Sequence, residues 1–135
     1  MQKKENLNIP VVSAIIERVK DGKTEILVQT RWKPDRDSQY SGTLEIPAGW
    51  IDRYENVYDA LRREVKEETG LTITDIIPNK QTKLHKPNKD GAFAFQTFCC
   101  QQQIKGGNLG LDSYFCARLG VRLRLRKMRL GMCVG

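Results

Sequence analysis

The sequence predicts an α/β fold in which one amphipathic helix packs on a sheet of short strands. Residues 56–69 contain no Pro or Gly, and four of their apolar residues recur at helical spacing: Val57, Ala60, Leu61 and Val65. Segments with the alternation typical of strands precede and follow this helix. With 135 residues, of which 39% are hydrophobic and 29% charged, the chain is expected to form one domain around a single core.

Five strands are expected around the helix, in the order Ile9–Val19, Glu25–Arg31, Thr43–Pro47, Leu71–Ile77 and Ala92–Ile104. An Asp21-Gly22 dipeptide, which is typical of hairpins, joins the first two. Residues 32–42 are polar and rich in turn-forming residues, so they predict a loop long enough to carry function. We expect a tight turn at residues 47–49, before the helix, and a helix end at Gly70.

Three glutamates extend the apolar face of the helix within roughly 100° of arc: Glu64, Glu67 and Glu68. Like charges four residues apart destabilise a helix by roughly 0.2–0.5 kcal/mol per pair, and carboxylates beside an apolar stripe also lose solvent. A divalent cation such as Mg²⁺ or Mn²⁺, which prefers oxygen ligands, would remove both costs. The alternative interpretation of these residues is a solvated acidic helix end.

The spacing of these residues resembles the signature of the Nudix hydrolase family across residues 49–71. The signature positions are filled by Gly49, Glu55, Arg63-Glu64-Val65, Glu67-Glu68 and Gly70-Leu71. The resemblance implies an α/β/α sandwich with a mixed sheet. It also implies a metal-dependent pyrophosphohydrolase that cleaves a nucleoside diphosphate linked to another moiety. We assign residues 1–107 to this domain.

The resemblance also implies roles for individual residues. The implied ligands of Mg²⁺ or Mn²⁺ are the carbonyl oxygen of Ala48 and the carboxylates of Glu64, Glu67 and Glu68. The implied catalytic residues are Glu64 as general base, Glu67, and Arg63, which would orient the carboxylates by bidentate pairing. Glu55 lies near the helix start, where capping alone and a direct metal role are both open interpretations.

The substrate is expected to be a small nucleotide. The lead-in of residues 44–49 is similar to that of ADP-ribose and nucleotide-sugar pyrophosphatases, which favours those substrates. The alternatives are a nucleoside triphosphate, or nucleotide or RNA binding without hydrolysis. Three aromatic residues are candidates to stack on a base, with ordinary packing as the other interpretation: Trp32, Tyr40 and Trp50. The sequence does not locate a second catalytic carboxylate, and Asp90 is equally well explained as a turn residue.

The net charge of +7 is concentrated towards the C-terminus. Residues 108–135 contain six Lys or Arg and one Asp, a net +5, which leaves +2 for residues 1–107. We interpret residues 108–135 as an atypical basic tail that is a frameshifted reading of the original gene. The C-terminal strand and second helix of the fold are then expected to be missing or altered. The alternative is a genuine cationic strand at residues 121–126, which could contact a phosphate backbone. We favour the first interpretation and therefore do not expect nucleic acid as a partner.

The sequence favours a cytoplasmic protein. No segment approaches the roughly 20 apolar residues of a membrane span. The apolar run at residues 9–16 is short and is followed by Glu17-Arg18 rather than a cleavage site, so it does not predict a signal peptide. The four cysteines lack zinc-site spacing, which favours reduced thiols. A homodimer stays open, because members of the family often form one.

Overall fold

The computed structural model describes residues 8–36, 38–77, 81–83, 91–105 and 110–119. In these ranges the elements are β1 (Ile9–Lys20), β2 (Lys23–Ile26), β3 (Gln29–Thr30), a 3₁₀ turn (Ser38–Tyr40), β4 (Leu44–Glu45), β5 (Ala48–Trp50), α1 (Val57–Thr69), β6 (Ile73–Ile77), β7 (Gln81–Lys83), β8 (Phe93–Phe95), β9 (Cys99–Gln102) and β10 (Gly110–Leu119). The predicted strand at residues 25–31 is therefore divided into β2 and β3, and the one at residues 92–104 into β8 and β9.

Six strands form one mixed sheet in the order β2–β1–β10–β6, with β5 also paired to β1 and β9 to β10. β1 and β10 are parallel, whereas the other pairs in this sheet are antiparallel. β3 pairs with β4, and β7 pairs with β8, in two separate ribbons. The predicted α/β fold with a mixed sheet is confirmed, and α1 supplies the α-helix of the described residues.

The helix α1 forms where the sequence predicts it. The Asn56 side chain accepts a hydrogen bond from the Tyr58 N–H at 2.9 Å and caps its start, and Gly70 ends it in the left-handed region at φ 73°. The four predicted core positions are at most 3% exposed: Val57, Ala60, Leu61 and Val65. Tyr58 is also buried, and its ring centroid lies 5.4 Å from that of Phe115 in β10. This face of the helix therefore packs on the centre of the sheet.

The tight turn predicted at residues 47–49 is wrong. Residues 48–50 form β5, which pairs antiparallel with residues 11–13 of β1. The Pro47 carbonyl oxygen already accepts a hydrogen bond from the Ala14 N–H at 2.9 Å, so the chain runs alongside β1 from that residue. Gly49 is not among the described glycines with a positive φ. Its role is to allow a close approach by a neighbouring side chain.

Residues 110–119 form β10 in the middle of the sheet, between β1 and β6. A C-terminal strand is thus present and not missing, and it buries Phe115 and Ala117, which are 0% and 1% exposed, in the main core. A second helix would come after residue 119, which is outside the described residues. The cationic segment at residues 121–126 and Asp90 also lie outside them. The domain limit at residue 107 and the frameshift stay predictions. Within the described ranges, no helix has the length and apolarity needed to cross a bilayer.

Candidate active site

A cleft of about 490 Å³ opens where α1, β1, β5, β10 and the loop after β3 come together. Glu64 and Glu68 line it from the helix, and Ala48 and Gly49 line it from β5. The loop side of the cleft is cationic, with three lining residues: Arg31, Lys33 and Arg36. The cleft thus combines a pair of carboxylates with a group of positive charges, a combination suited to a metal ion and phosphate groups.

The Glu64 carboxylate lies directly against the backbone of Gly49. A Cβ at residue 49 would lie within 3.0 Å of all three carboxylate atoms of Glu64, closer than real Cβ atoms come to their neighbours. The Nη1 of Arg63 donates a hydrogen bond to Oε1 of Glu64 at 2.6 Å. Because the Glu64 side chain is only 14% exposed, these two neighbours fix the carboxylate at the cleft wall.

Arg63 connects the helix to the segment that precedes it. Its Nε and Nη2 each donate to one carboxylate oxygen of Glu55 at 2.8 Å, and Nη2 also donates to the Trp50 carbonyl oxygen at 2.9 Å. A longer hydrogen bond of 3.5 Å joins Nη1 to Glu67. The bidentate partner of Arg63 is therefore Glu55, while Glu64 receives a single strong hydrogen bond.

Glu55 acts on Arg63 rather than as the helix cap. Its hydrogen bonds from Arg63, together with one from the Asp52 N–H at 3.0 Å, lower the pKa of Glu55 from 4.5 to about 2, although burial opposes this change. The hydrogen bonds that Arg63 donates to Glu55 and Glu64 raise the pKa of Arg63, which stays charged. The capping interpretation of Glu55 is wrong, because Asn56 occupies the cap position.

Glu68 lies deeper in the wall. Burial raises the pKa of Glu68, and the negative charges of Glu45 and Glu64 act in the same direction. Two hydrogen bonds to its Oε2 oppose this change: one from Gln29 Nε2 at 2.7 Å and one from the Ala48 N–H at 3.1 Å. The wall therefore holds negative charge that a cation beside Glu64 and Glu68 would offset.

The predicted ligands differ in how well they fit a metal ion. Within the described ranges, no three His, Cys, Asp or Glu side chains form a ready metal-binding group. Glu67 does not line the cleft and is 60% exposed, whereas Glu64 and Glu68 both line it next to Ala48. Mg²⁺ is commonly bound by one or two carboxylates, with waters and substrate phosphates completing its octahedron. The donor set at Glu64 and Glu68 fits such an ion.

Of the three aromatic residues predicted to contact a base, Trp50 alone lines the cleft. It is 49% exposed, and the Arg36 guanidinium lies over its ring at 5.9 Å from the centroid. Trp32 and Tyr40 are 75% and 41% exposed and do not line the cleft. The structure therefore brings one candidate for base stacking next to the carboxylates.

Seven polar residues in or beside the cleft were not identified from the sequence: Gln29, Arg31, Lys33, Arg36, Asp52, Gln103 and Asp112. The three cations lie within six residues of one another, and this local clustering of charge was a usable signal. No local pattern marks Gln29 or Asp112. Each reaches the site through strand pairing and packing, Gln29 from β3 and Asp112 from β10.

Comparison with known proteins identifies the family. A family profile described as the NUDIX domain matches residues 8–108, three quarters of the chain. The chain belongs to the Nudix family. Over 73 residues this Nudix chain is 40% identical to the ADP-ribose pyrophosphatase of Saccharomyces cerevisiae. That match covers 53% of the chain but only 30% of the yeast protein, so the chain is matched to under a third of that relative's length.

Solved structures support the same Nudix fold. The NUDIX domain of Shewanella oneidensis NrtR, complexed with ADP ribose, matches with a TM-score of 0.60 and 12% identity over 98% of this chain and 74% of that one. A MutT NUDIX hydrolase from Burkholderia pseudomallei matches with a TM-score of 0.57 and 22% identity over 93% and 81% of the two chains. At these identities the structures establish the fold alone.

Proposed function

We propose that this Nudix protein is a metal-dependent pyrophosphohydrolase that cleaves a nucleoside diphosphate linked to another moiety. The observation that carries the proposal is the shared cleft of Glu64 and Glu68, which faces a loop with Arg31, Lys33 and Arg36. The negative oxygens of a diphosphate are stabilised by nearby positive charge. The loop cations supply it, and a metal ion held by Glu64 and Glu68 would add to it.

The chain's residues divide the chemistry among them. Glu64 and Glu68, with the Ala48 carbonyl oxygen, would hold the Mg²⁺ or Mn²⁺ ion. When bound, that ion lowers the pKa of coordinated water and offsets charge on the phosphates. Glu64 accepts the proton of the attacking water, while Arg63 keeps its carboxylate in place from Oε1. Glu67 supports the guanidinium of Arg63 from the solvent side.

ADP-ribose or a nucleotide sugar is the proposed substrate. The support is the 40% identity to an ADP-ribose pyrophosphatase over 73 residues, together with the similar lead-in at residues 44–49. Nucleoside triphosphates are the second candidate, because the triphosphate chain also fits an open, cationic cleft. Relative turnover of the two classes separates them.

The test is a substrate panel of ADP-ribose, UDP-glucose, a dinucleoside tetraphosphate and ATP with Mg²⁺, Mn²⁺ or EDTA. We expect the highest kcat/KM on ADP-ribose or UDP-glucose, and no turnover in EDTA. Glu64→Gln and Glu68→Gln should each lower kcat by roughly 10²–10³-fold. Glu17→Gln, an exposed change on β1 away from the cleft, is the matched control.

Each part of the proposal has its own contrary result. A higher kcat/KM on ATP would reverse the substrate preference. Near-normal turnover by both helix variants at saturating Mg²⁺ would show that the ligands are wrongly assigned. Binding of ADP-ribose without release of AMP under any metal condition would leave a nucleotide-binding protein rather than an enzyme.

We also propose a cytoplasmic location and leave a homodimer open. In the described part of the chain, Cys99 and Cys100 are adjacent, exposed and unpaired, which is usual where thiols stay reduced. Fractionation of cells that express the chain tests the location, and sedimentation equilibrium gives the oligomeric state.

A further inference from the structure

In the described part of the chain, the strands β2, β5, β6 and β9 each pair with a neighbour on one side only in the main sheet. A strand edge of this kind exposes N–H and C=O groups to pairing by another chain, so proteins protect such edges with charge or by covering them. Lys23 and Glu25 lie in β2, and Asp75 lies in β6. The helix covers the edge of β5, since the Ala48 N–H donates to Glu68. β9 has neither protection.

β9 is exposed and uncharged. Its sequence is Cys-Cys-Gln-Gln, and all of its residues are exposed. The chain carries a net charge of +7, yet residues 91–104 contain no charged residue. Phe98 and Ile104, which flank the strand, are 60% and 88% exposed. A strand without charge, Pro or Gly that has apolar residues at both ends is typical of an edge that pairs with another strand.

The backbone groups on the outer side of β9 belong to Cys100 and Gln102. The Gln103 N–H donates to the Gly110 carbonyl oxygen at 3.0 Å, one position beyond the ladder that joins β9 to β10. Hydrogen-bonded pairs alternate along an antiparallel ladder, so the backbone of Gln101 also faces β10, and those of Cys100 and Gln102 face away from it. Among the described residues no backbone hydrogen bond reaches this outer side.

The outer side of β9 is complementary to itself. When two copies of β9 run antiparallel about a two-fold axis at Gln101, Cys100 of each copy lies opposite Gln102 of the other, and their N–H and C=O groups pair. The same register places Phe98 opposite Ile104 of the second copy, so the exposed apolar residues at the two ends meet. No like charges come together, because β9 has none. For the same reason β9 has no charged group that would select the strand of a different protein.

We propose that β9 is a homodimer interface, at which two copies of the chain join their sheets by antiparallel pairing of residues 98–104. An interface built on one short strand is small, so we expect a reversible dimer whose population depends on concentration. The pairing needs neither a metal ion nor a nucleotide, and it is therefore independent of the proposed hydrolase activity.

The test is sedimentation equilibrium of the full chain between about 10 and 500 µM, with charge introduced at Gln101. In the proposed register Gln101 lies opposite itself, so Gln101→Lys and Gln101→Glu each bring two like charges together. We expect each variant to have a dissociation constant at least about 5-fold above that of the parent, and a 1:1 mixture of the two to regain at least the parental affinity. Thr24→Lys adds the same charge to an exposed position of the edge strand β2 and should change the dissociation constant by less than about 2-fold.

A second measurement reports the register of the two strands. Residues that lie opposite each other without exchanging backbone hydrogen bonds have Cα atoms about 4.5 Å apart, a distance that permits a disulfide. In a Cys99→Ser/Cys100→Ser background, Gln101→Cys should therefore give a covalent dimer when oxidised glutathione is added. Thr24→Cys in the same background should not.

Four results would each overturn the inference. The first is a parent chain that stays monomeric over the whole concentration range. The second is unchanged association of a Gln101→Lys variant that melts like the parent. The third is a mixture of the Lys and Glu variants that associates no more tightly than either alone. The fourth is an equal loss of affinity in Thr24→Lys, which would show that net charge rather than β9 controls association.

Discussion

Gly49→Ala should separate activity from stability at this site. A Cβ at residue 49 would overlap the Glu64 carboxylate, and restoring ordinary contact at 3.4–4 Å requires that carboxylate to move by roughly 1 Å or more. The carboxylate is the end of a flexible side chain, so the fold can accommodate the change. The Arg63–Glu64 hydrogen bond of 2.6 Å is lost, at a cost of about 1–2 kcal/mol in the free energy of unfolding. A displacement of this size lowers turnover by about 10²-fold.

Gly70→Ala is the matched control for that loss of stability. Gly70 has φ 73°, and a Cβ there meets nothing within 4 Å, so alanine costs about 1–2 kcal/mol of backbone strain without touching the cleft. Both variants should melt several degrees below the parent chain. Only Gly49→Ala should lose Mg²⁺-dependent release of AMP from ADP-ribose. If the two variants have kcat/KM values within about 3-fold of each other, the close approach of Glu64 does not position it for catalysis.

Two further predictions concern stability and the C-terminal part. The hydrogen bonds from Arg63 lower the pKa of Glu55 in the folded chain from its ordinary value of 4.5 to about 2. This ion pair therefore stabilises the fold above pH 4.5, and its contribution declines as the pH falls towards 2. Urea unfolding should therefore give the parent a larger free energy of unfolding than Glu55→Gln at pH 6, and the difference between the two should be smaller at pH 3. An equal difference at the two pH values would contradict this account. The coding DNA of residues 108–119, read one frame over, should permit the apolar string Pro-Trp-Ile-Gly-Phe-Val-Phe-Leu-Cys-Glu-Val. If the codons do not permit this string, residues 108–119 are read in the original frame of the gene.

The helix could be predicted from the sequence because its determinants are local. Asn56 and Gly70 set its two ends, and the spacing of Val57 to Val65 sets its buried face. The same local reasoning failed at residues 47–49. Glycine after Pro-Ala suggests a turn, yet Gly49 continues a strand, since its lack of a Cβ accommodates Glu64. A glycine can be required because a neighbouring side chain needs the space or because the backbone needs a positive φ. The sequence shows a glycine in both cases and does not tell them apart.

The candidate site was predicted in part for the same reason. Glu64 and Glu68 are four residues apart on one helix, so their common direction follows from helical geometry alone. Asp112 is 44 positions beyond Glu68 in the sequence, and it lines the same cleft only because β10 lies beside β1. Gln29 likewise reaches Glu68 from β3, 39 positions away. Residues of this kind require the strand order, which periodicity does not give.

The parallel pairing of β1 with β10 also has a consequence for how the chain folds. Ile9 lies opposite Gly110, so among the described strands this is the pairing of longest sequence range, and it closes a loop of roughly a hundred residues. β2 and β5 cover one edge of β1 from nearby positions, but the other edge stays open until β10 arrives. At about 5–20 residues per second, synthesis leaves Val12, Ala14 and Ile16 beside an unpaired edge for several seconds. During that interval a strand from another newly made chain can pair with this edge in the place that β10 later occupies.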